Sequence, residues 1–222
     1  MILFSIIGLK EVFFLMKKQK AIDFILKYEK TTGHKLVTIL LRLENWYYFL
    51  LRSYKDVIDN TEYFEKTGKY DPKEYYRLVF NYLNAETGIT NKVIGWRNHL
   101  HNEIMVNIII DDDYQLNLEK FGVHKYKEFI KELRNNYHHK ASKENFGIAF
   151  TSVLEDGKRI SSKVEFIFLT NDGVKIMDLK EVIVSHTDSV VNFYEWFVKK
   201  IKSSINSEEY DKYLDCLKIA KG

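Results

Sequence analysis

The sequence predicts a mainly α-helical fold, a helical bundle with a β-hairpin inserted after the fourth long helix. Only one proline occurs in 222 residues, so helices can run for many turns without interruption. Apolar residues recur at spacings of three and four in several segments, the pattern of a helix with one buried face. Only the segment 146–169 changes to β-branched and aromatic residues around a turn. No glycine- or serine-rich linker divides the chain, so residues 1–222 are expected to form one domain.

The first sixteen residues are apolar but do not match a secretory signal. They begin without a basic segment, and Lys10 and Glu11 interrupt the apolar run. The run is also too short for a membrane-spanning helix, which needs about 20 apolar residues. We therefore expect a packed or partner-facing N-terminal segment, or a true start at Met16, and no association with a membrane.

Four helices are predicted before the hairpin. The first spans about 34–59, and its apolar stripe consists of Leu36, Leu40, Leu43, Tyr47, Leu50 and Tyr54. The second begins after Asp71-Pro72, because aspartate caps a helix and proline fits its first turn. The third has two polar residues on an apolar face formed by Ile94, Arg97, His101, Ile104 and Ile108. The fourth ends in His138-His139-Lys140, and its stripe consists of Tyr126, Phe129, Ile130, Leu133 and Tyr137.

A β-hairpin is predicted at 146–169. Two segments rich in β-branched and aromatic residues flank the sequence Glu155-Asp156-Gly157-Lys158. An Asp-Gly pair between two such segments is a strong signal for a two-residue hairpin turn. Asn171-Asp172-Gly173 marks a second turn, after which residues 174–177 would return as a third short strand.

The C-terminal part returns to a helical period. Helices are predicted over 188–219, with Thr187 to Ser189 as N-terminal caps. His186 is then assigned to a loop before the first of these helices. It is not interpreted as part of a catalytic triad, because no G-x-S-x-G motif accompanies it.

Charge, cysteine content and missing motifs limit the cellular compartment and the cofactors that can be expected for this chain. The formal net charge of +3, from 34 basic and 31 acidic residues, is too near balance to indicate a polyanionic partner by itself. The single cysteine, Cys216, can form neither an intrachain disulfide nor a cysteine-based metal site, which points to the cytoplasm. The chain has no phosphate-binding loop, dinucleotide fingerprint or H-E-x-x-H motif, so neither a cofactor nor a metal is expected.

The run Arg134-Asn135-Asn136-Tyr137-His138-His139 carries the candidate chemistry. A guanidinium group offers a permanently charged fork for a phosphate, and an imidazole exchanges protons near neutral pH. On a continuous helix Arg134 and His138 are four residues apart on one face, as are Asn135 and His139. The alternative is structural, because Arg and His at a helix end also cap carbonyl groups and stay solvated.

At this run the sequence resembles the HEPN superfamily (higher eukaryotes and prokaryotes nucleotide-binding), whose members are helical bundles with an R-x(4–6)-H signature. Arg134, Asn135 and His139 match the R-N-x-x-x-H form. The resemblance implies metal-independent RNA cleavage by a dimer in which two copies of the motif face each other. It also implies that Arg134 holds the scissile phosphate and that His139 transfers the proton. Asn135 would then orient His139. His138 remains a second candidate for the proton carrier.

Other polar groups have structural explanations that compete with functional ones. Arg97 and His101, one helical turn apart, either line the same cavity as the Arg134 cluster or form a buried, hydrogen-bonded pair. Asp111-Asp112-Asp113 is interpreted as a solvated helix boundary, because consecutive side chains point in different directions. The aromatic run from Trp46 to Phe49 is expected to supply core and dimer-interface contacts rather than base stacking.

These observations predict an RNA-directed HEPN-like domain. The preferred activity is that of a metal-independent endoribonuclease of a prokaryotic defence or toxin-type system, acting as a homodimer, with an antitoxin protein as a further partner. The alternative is a non-catalytic HEPN-like dimer that binds a nucleotide, RNA or protein partner.

Overall fold

The structure, a computed structural model, describes residues 2–102, 111–138, 146–170 and 173–221. Within these ranges the chain is mainly α-helical, with one small antiparallel sheet, as the sequence predicted. The helices are α1 (Ile2–Tyr28), α2 (Thr32–Thr67), α3 (Pro72–Asn102), α4 (Asp111–Lys120), α5 (Lys127–His138), α6 (Leu179–Lys202) and α7 (Ser207–Lys221). The strands are β1 (Phe146–Glu155), β2 (Lys158–Thr170) and β3 (Gly173–Asp178).

Helix α2 forms the spine of the bundle. One line of its fully buried apolar side chains has a spacing of seven residues, and its members are Leu36, Leu43, Leu50, Val57 and Phe64. A seven-residue spacing keeps one line of side chains turned toward neighbouring helices over a long distance. The helix is longer than the predicted 34–59 at both ends. Thr31 caps its start by accepting a hydrogen bond from the His34 amide at 3.2 Å, and Gly68 ends it with a φ of 67°.

Helix α3 packs along α2 and replaces two predicted helices. The expected cap at Asp71 is confirmed, since its carboxylate accepts hydrogen bonds from the amides of Lys73 and Glu74 at 2.9 and 3.3 Å. The separation into a second and a third helix is wrong, because the chain continues without a break from Pro72 to Asn102. Ile104 and Ile108, which completed the predicted third stripe, lie outside the described residues.

The hairpin predicted at 146–169 is confirmed, and β3 extends it to a three-stranded sheet. Asp156 and Gly157 form the turn with φ values of 50° and 74°, the positive values that a tight two-residue turn requires. One sheet face is buried against the helices through Val164 and Phe166. The turn end of the sheet is attached to α2, because the Arg159 guanidinium donates a hydrogen bond to the Lys66 carbonyl.

Helix α6 begins nine residues earlier than the predicted start of 188. Asp178, the last residue of β3, caps it by accepting a hydrogen bond from the Glu181 amide at 2.9 Å. The predicted capping role of Thr187 to Ser189 is therefore wrong, since these residues lie inside the helix. The buried residues of α6 recur at spacings of three and four from Leu179 to Ile201, which explains why the helix is continuous here.

Helices α1 and α7 pair in a second, smaller cluster of buried residues. Its members are Ala21, Ile25, Tyr28, Tyr213 and Cys216. The rings of Tyr28 and Tyr213 stack with centroids 4.7 Å apart. A search of the described helices for one long and apolar enough to cross a membrane found none.

Two glycines in α3 provide a test of the close packing between α2 and α3. A Cβ at Gly88 would overlap the Trp46 ring, whereas a Cβ at Gly95 would meet no atom within 4 Å. Gly88→Ala should therefore lower the free energy of unfolding by about 1–3 kcal/mol through overpacking. Gly95→Ala should raise it by about 0.5–1 kcal/mol, because alanine restricts the unfolded chain. Urea unfolding followed by circular dichroism measures both, and equal stabilisation by the two changes would contradict the predicted packing.

Candidate functional site

The candidate motif lies on α5, which packs against α3 and the sheet. Ile130 and Leu133 are buried, and the Phe129 ring meets the Phe166 ring of β2 edge to face at 5.3 Å. These contacts hold one face of α5 in the core. Arg134 is consequently half-buried, and the next residue, Asn135, is exposed.

Asn135 holds the guanidinium group of Arg134. Nη2 of Arg134 donates a hydrogen bond to the Asn135 side-chain oxygen at 3.2 Å. A guanidinium group has five N–H donors, so this bond leaves the fork able to bind a phosphate or carboxylate. The chemical role that this geometry supports is the positioning of an anion-binding cation.

Of the two histidines of the motif, the structure describes only the backbone of His138. Helix α5 is continuous from Arg134 to His138, so the backbone has the four-residue separation that places both on one helix face. The side chain of His138 and the whole of His139 lie outside the described residues. Their expected roles in proton transfer therefore stay predictions.

Arg97 is held against α4. Its Nε and Nη2 atoms donate to the Asn98 side-chain oxygen at 3.3 and 3.1 Å, and its guanidinium carbon lies 4.6 Å from the centre of the Tyr114 ring. Burial raises the pKa of Tyr114 to about 12, and the positive charge of Arg97 partly opposes that rise. The side chain of His101 lies outside the described residues, so convergence of Arg97 and His101 with the Arg134 cluster stays a prediction.

The aspartate run lies at the first described turn of α4. Asp113 is half-buried and forms an ion pair with Lys200 of α6 at 3.3 Å. The residues before Asp111 lie outside the described residues, so the interpretation of Asp111-Asp112-Asp113 as a solvated helix boundary stays a prediction. Over the described parts of the chain, no group of three or more His, Cys, Asp or Glu side chains is placed to hold a metal ion.

A buried acid–histidine pair between α3 and α6 was not predicted from the sequence. Nε2 of His186 lies 3.1 Å from Oε1 of Glu86, and the Thr90 hydroxyl donates to the same oxygen at 3.0 Å. One turn away, the hydroxyls of Tyr82 and Thr187 share a hydrogen bond of 2.9 Å. The assignment of His186 to a loop is wrong. The spacing of His186 could have predicted its place in a helix, because it continues the three- and four-residue spacing of the buried residues of α6.

The Glu86–His186 pair has a structural role. The His186 side chain is 1% exposed, so no substrate can reach it. Its Nδ1 has no hydrogen-bond partner among the described residues, so Nε2 is the ring atom that joins it to the Glu86 carboxylate. The pair therefore joins α3 to α6 in a fixed register.

A groove lies where α2 and α6 diverge, with a volume of about 390 Å³. Tyr47 and Tyr194 stack at 4.3 Å along it, and the Tyr47 hydroxyl donates to Glu195 at 3.5 Å. Its charged lining combines Glu44 and Glu195 with lysines, so neither sign of charge dominates.

A scan of protein-family models, a search of curated protein sequences and a search of solved structures each found no match to the chain.

The buried pair can be tested by comparing a single and a double variant. His186→Leu should lower the free energy of unfolding by about 3 kcal/mol or more, because it leaves a buried carboxylate without its imidazole donor. Glu86→Leu/His186→Leu should recover most of that loss, since it removes both polar groups together. Urea unfolding measures both. A double variant less stable than His186→Leu would contradict a role for the two groups in satisfying each other's hydrogen bonds.

Proposed function

We propose that the chain is an RNA-directed HEPN-like domain that acts as a metal-independent endoribonuclease of a prokaryotic defence or toxin-type system in the cytoplasm. The observation that carries the proposal is the Arg134–Asn135 pair on α5, a fixed guanidinium group one helical turn before His138. An arginine in this position supplies the phosphate contact, and a histidine supplies the proton transfer that RNA cleavage requires.

In the proposed reaction the RNA 2′-hydroxyl attacks the adjacent phosphorus while Arg134 binds the phosphate oxygens. The motif gives His139 the role of proton carrier. The new bond joins the 2′ oxygen to phosphorus, and the bond from phosphorus to the 5′ oxygen breaks. One proton leaves the 2′-hydroxyl and one reaches the 5′ oxygen, so the products are a 2′,3′-cyclic phosphate and a 5′-hydroxyl. The motif gives Asn135 the role of orienting His139, and Asn135 also accepts a hydrogen bond from the Arg134 guanidinium.

The second candidate is a non-catalytic HEPN-like dimer that binds a nucleotide, RNA or protein partner, including an antitoxin. The observation that favours it is that the Arg134 guanidinium, after its hydrogen bond to Asn135, keeps N–H donors that can bind a phosphate or carboxylate without help from a histidine. Cleavage additionally requires a histidine. The two candidates therefore differ in the effect of the histidine substitutions.

Substitutions in the motif should separate binding from cleavage. His139→Ala should abolish cleavage while largely sparing RNA binding, because a general acid–base group typically contributes about 10²- to 10⁴-fold in rate. Arg134→Ala should weaken both. Cleavage is measured on labelled RNA by gel electrophoresis, with the 2′,3′-cyclic phosphate identified by mass spectrometry, and binding is measured by fluorescence anisotropy.

Three controls accompany this measurement. The matching DNA should stay intact, since it lacks the nucleophile, and cleavage should survive EDTA. His138→Ala tests the assignment of the proton carrier, because activity lost there and retained in His139→Ala would move the role to His138. Cleavage by Arg134→Ala/His138→Ala/His139→Ala equal to that of the wild type would exclude the ribonuclease proposal.

The proposal also includes a homodimer that brings two motifs together. Exposed apolar side chains on α1 and β3 offer surfaces for it, among them Leu15, Met16, Val174 and Ile176. Light scattering at micromolar concentration should report twice the mass of the chain. A monomer under these conditions would contradict a site built from two copies.

A further inference from the structure

The outward side of α2 presents aromatic rings together with arginines. We define the α2 aromatic face by its exposed side chains, which are Leu41, Arg42, Asn45, Tyr48, Phe49 and Arg52. We infer that this face binds single-stranded nucleic acid, with bases stacked on the rings and phosphates held by the arginines. The inference concerns a surface separate from the α5 motif and does not depend on cleavage.

Two aromatic side chains of the run 46–49 are used in packing, and two are left for a ligand. Tyr47 stacks on Tyr194, and Trp46 lies over Gly88. Tyr48 is 73% exposed, and Phe49 is 44% exposed. Tyr48 has no ring or hydrogen-bond partner among the described residues. This run was expected to supply core and interface contacts, and packing within the chain accounts for only half of it.

The surface around these rings is held in place before any ligand binds. The Phe49 ring meets the Trp46 ring edge to face, with centroids 6.2 Å apart. The Arg42 guanidinium lies 5.8 Å from the centre of the Trp96 ring on α3. Groups fixed in this way lose less conformational freedom when a ligand binds, which favours affinity.

Charge favours an anionic ligand. Arg42 and Arg52 form no ion pair with the described residues, and the exposed carboxylate that follows them on this side of α2 is Asp56, one turn after Arg52. Glu44, the one acidic residue between the two arginines, lines the groove beside α6 instead. Lys92 of α3 is a third exposed cation. It lies beside the face because it stands one turn after Gly88 and one turn before Trp96 on the same side of α3.

A second copy of the chain fits this face less well. In a two-fold dimer the same patch meets itself, so Arg42, Arg52 and Lys92 would face the same excess of cations, against which Asp56 supplies one carboxylate in each copy. A single strand satisfies both features of the face. Its phosphates neutralise the cations, and its unpaired bases offer flat rings for stacking, which a duplex does not.

The test uses a labelled oligothymidylate of about 12 nucleotides, a single strand that lacks the 2′-hydroxyl and cannot be cleaved. Tyr48→Ala should weaken its binding in fluorescence anisotropy by about 5- to 150-fold, the range expected for one lost stacking contact. Tyr48→Phe should bind like the wild type, because it keeps the ring. Arg52→Gln should weaken binding and reduce the slope of log affinity against log salt concentration by about 0.7.

Matched controls lie on the same two helices outside the face. Tyr63→Ala removes another exposed tyrosine of α2, and Arg77→Gln removes an arginine of α3 that is paired with Glu74. Both should bind the oligonucleotide like the wild type. Tyr48→Ala and Arg52→Gln leave the α5 motif intact, so binding that is lost in these two variants and kept in the two controls is assigned to the face.

Two results would overturn the inference. Unchanged binding by both Tyr48→Ala and Arg52→Gln would remove the face from nucleic-acid recognition. Conversion of a dimer to a monomer by Tyr48→Ala, with binding unchanged, would make the face a contact between copies of the chain.

Discussion

The packing of α2 on α3 sets the positions of the other parts of the main core. Trp46 can lie against α3 because residue 88 has no side chain, so the two helices approach closely at this point. Another side of α3 then presents Tyr82 and Glu86 to α6, where Thr187 and His186 meet them. Apolar contacts tolerate small sliding movements, but hydrogen bonds between buried groups require particular distances and angles. Close apolar packing on one side of α3 and polar pairing on another therefore restrict the arrangement of three helices.

Much of the fold could be predicted because it depends on local patterns. The stripe of α2, the Asp71-Pro72 start of α3 and the turn at Asp156-Gly157 each identified an element correctly. The start of α6 was predicted wrongly for a local reason. Thr187 and Asp188 have the composition of a helix cap. Asp178, which follows a strand directly, caps the helix instead.

The candidate site was less accessible to sequence reasoning. The contact between Arg134 and Asn135 joins neighbouring residues, so the motif itself indicates it. The placement of Arg97 over Tyr114 depends on how α4 packs against α3, and no periodicity in either segment specifies that. The same limit applies to Glu86 and His186, which are 100 residues apart in the chain. Such pairs arise from the tertiary arrangement, and one sequence shows only that each residue lies on a buried stripe.

The junction between β3 and α6 has a mechanical consequence. Asp178 is both the last residue of the strand and the cap of the helix, so no spacer residue is present whose backbone torsions could absorb a rotation. Arg159 lies on the neighbouring strand β2, toward the same end of the sheet, and is fastened to the last turn of α2. The sheet is thus anchored toward one end to two different helices. A force on its outer surface is therefore transmitted to the end of α2 and the beginning of α6. The sheet should move together with these two helices and not rotate independently of them.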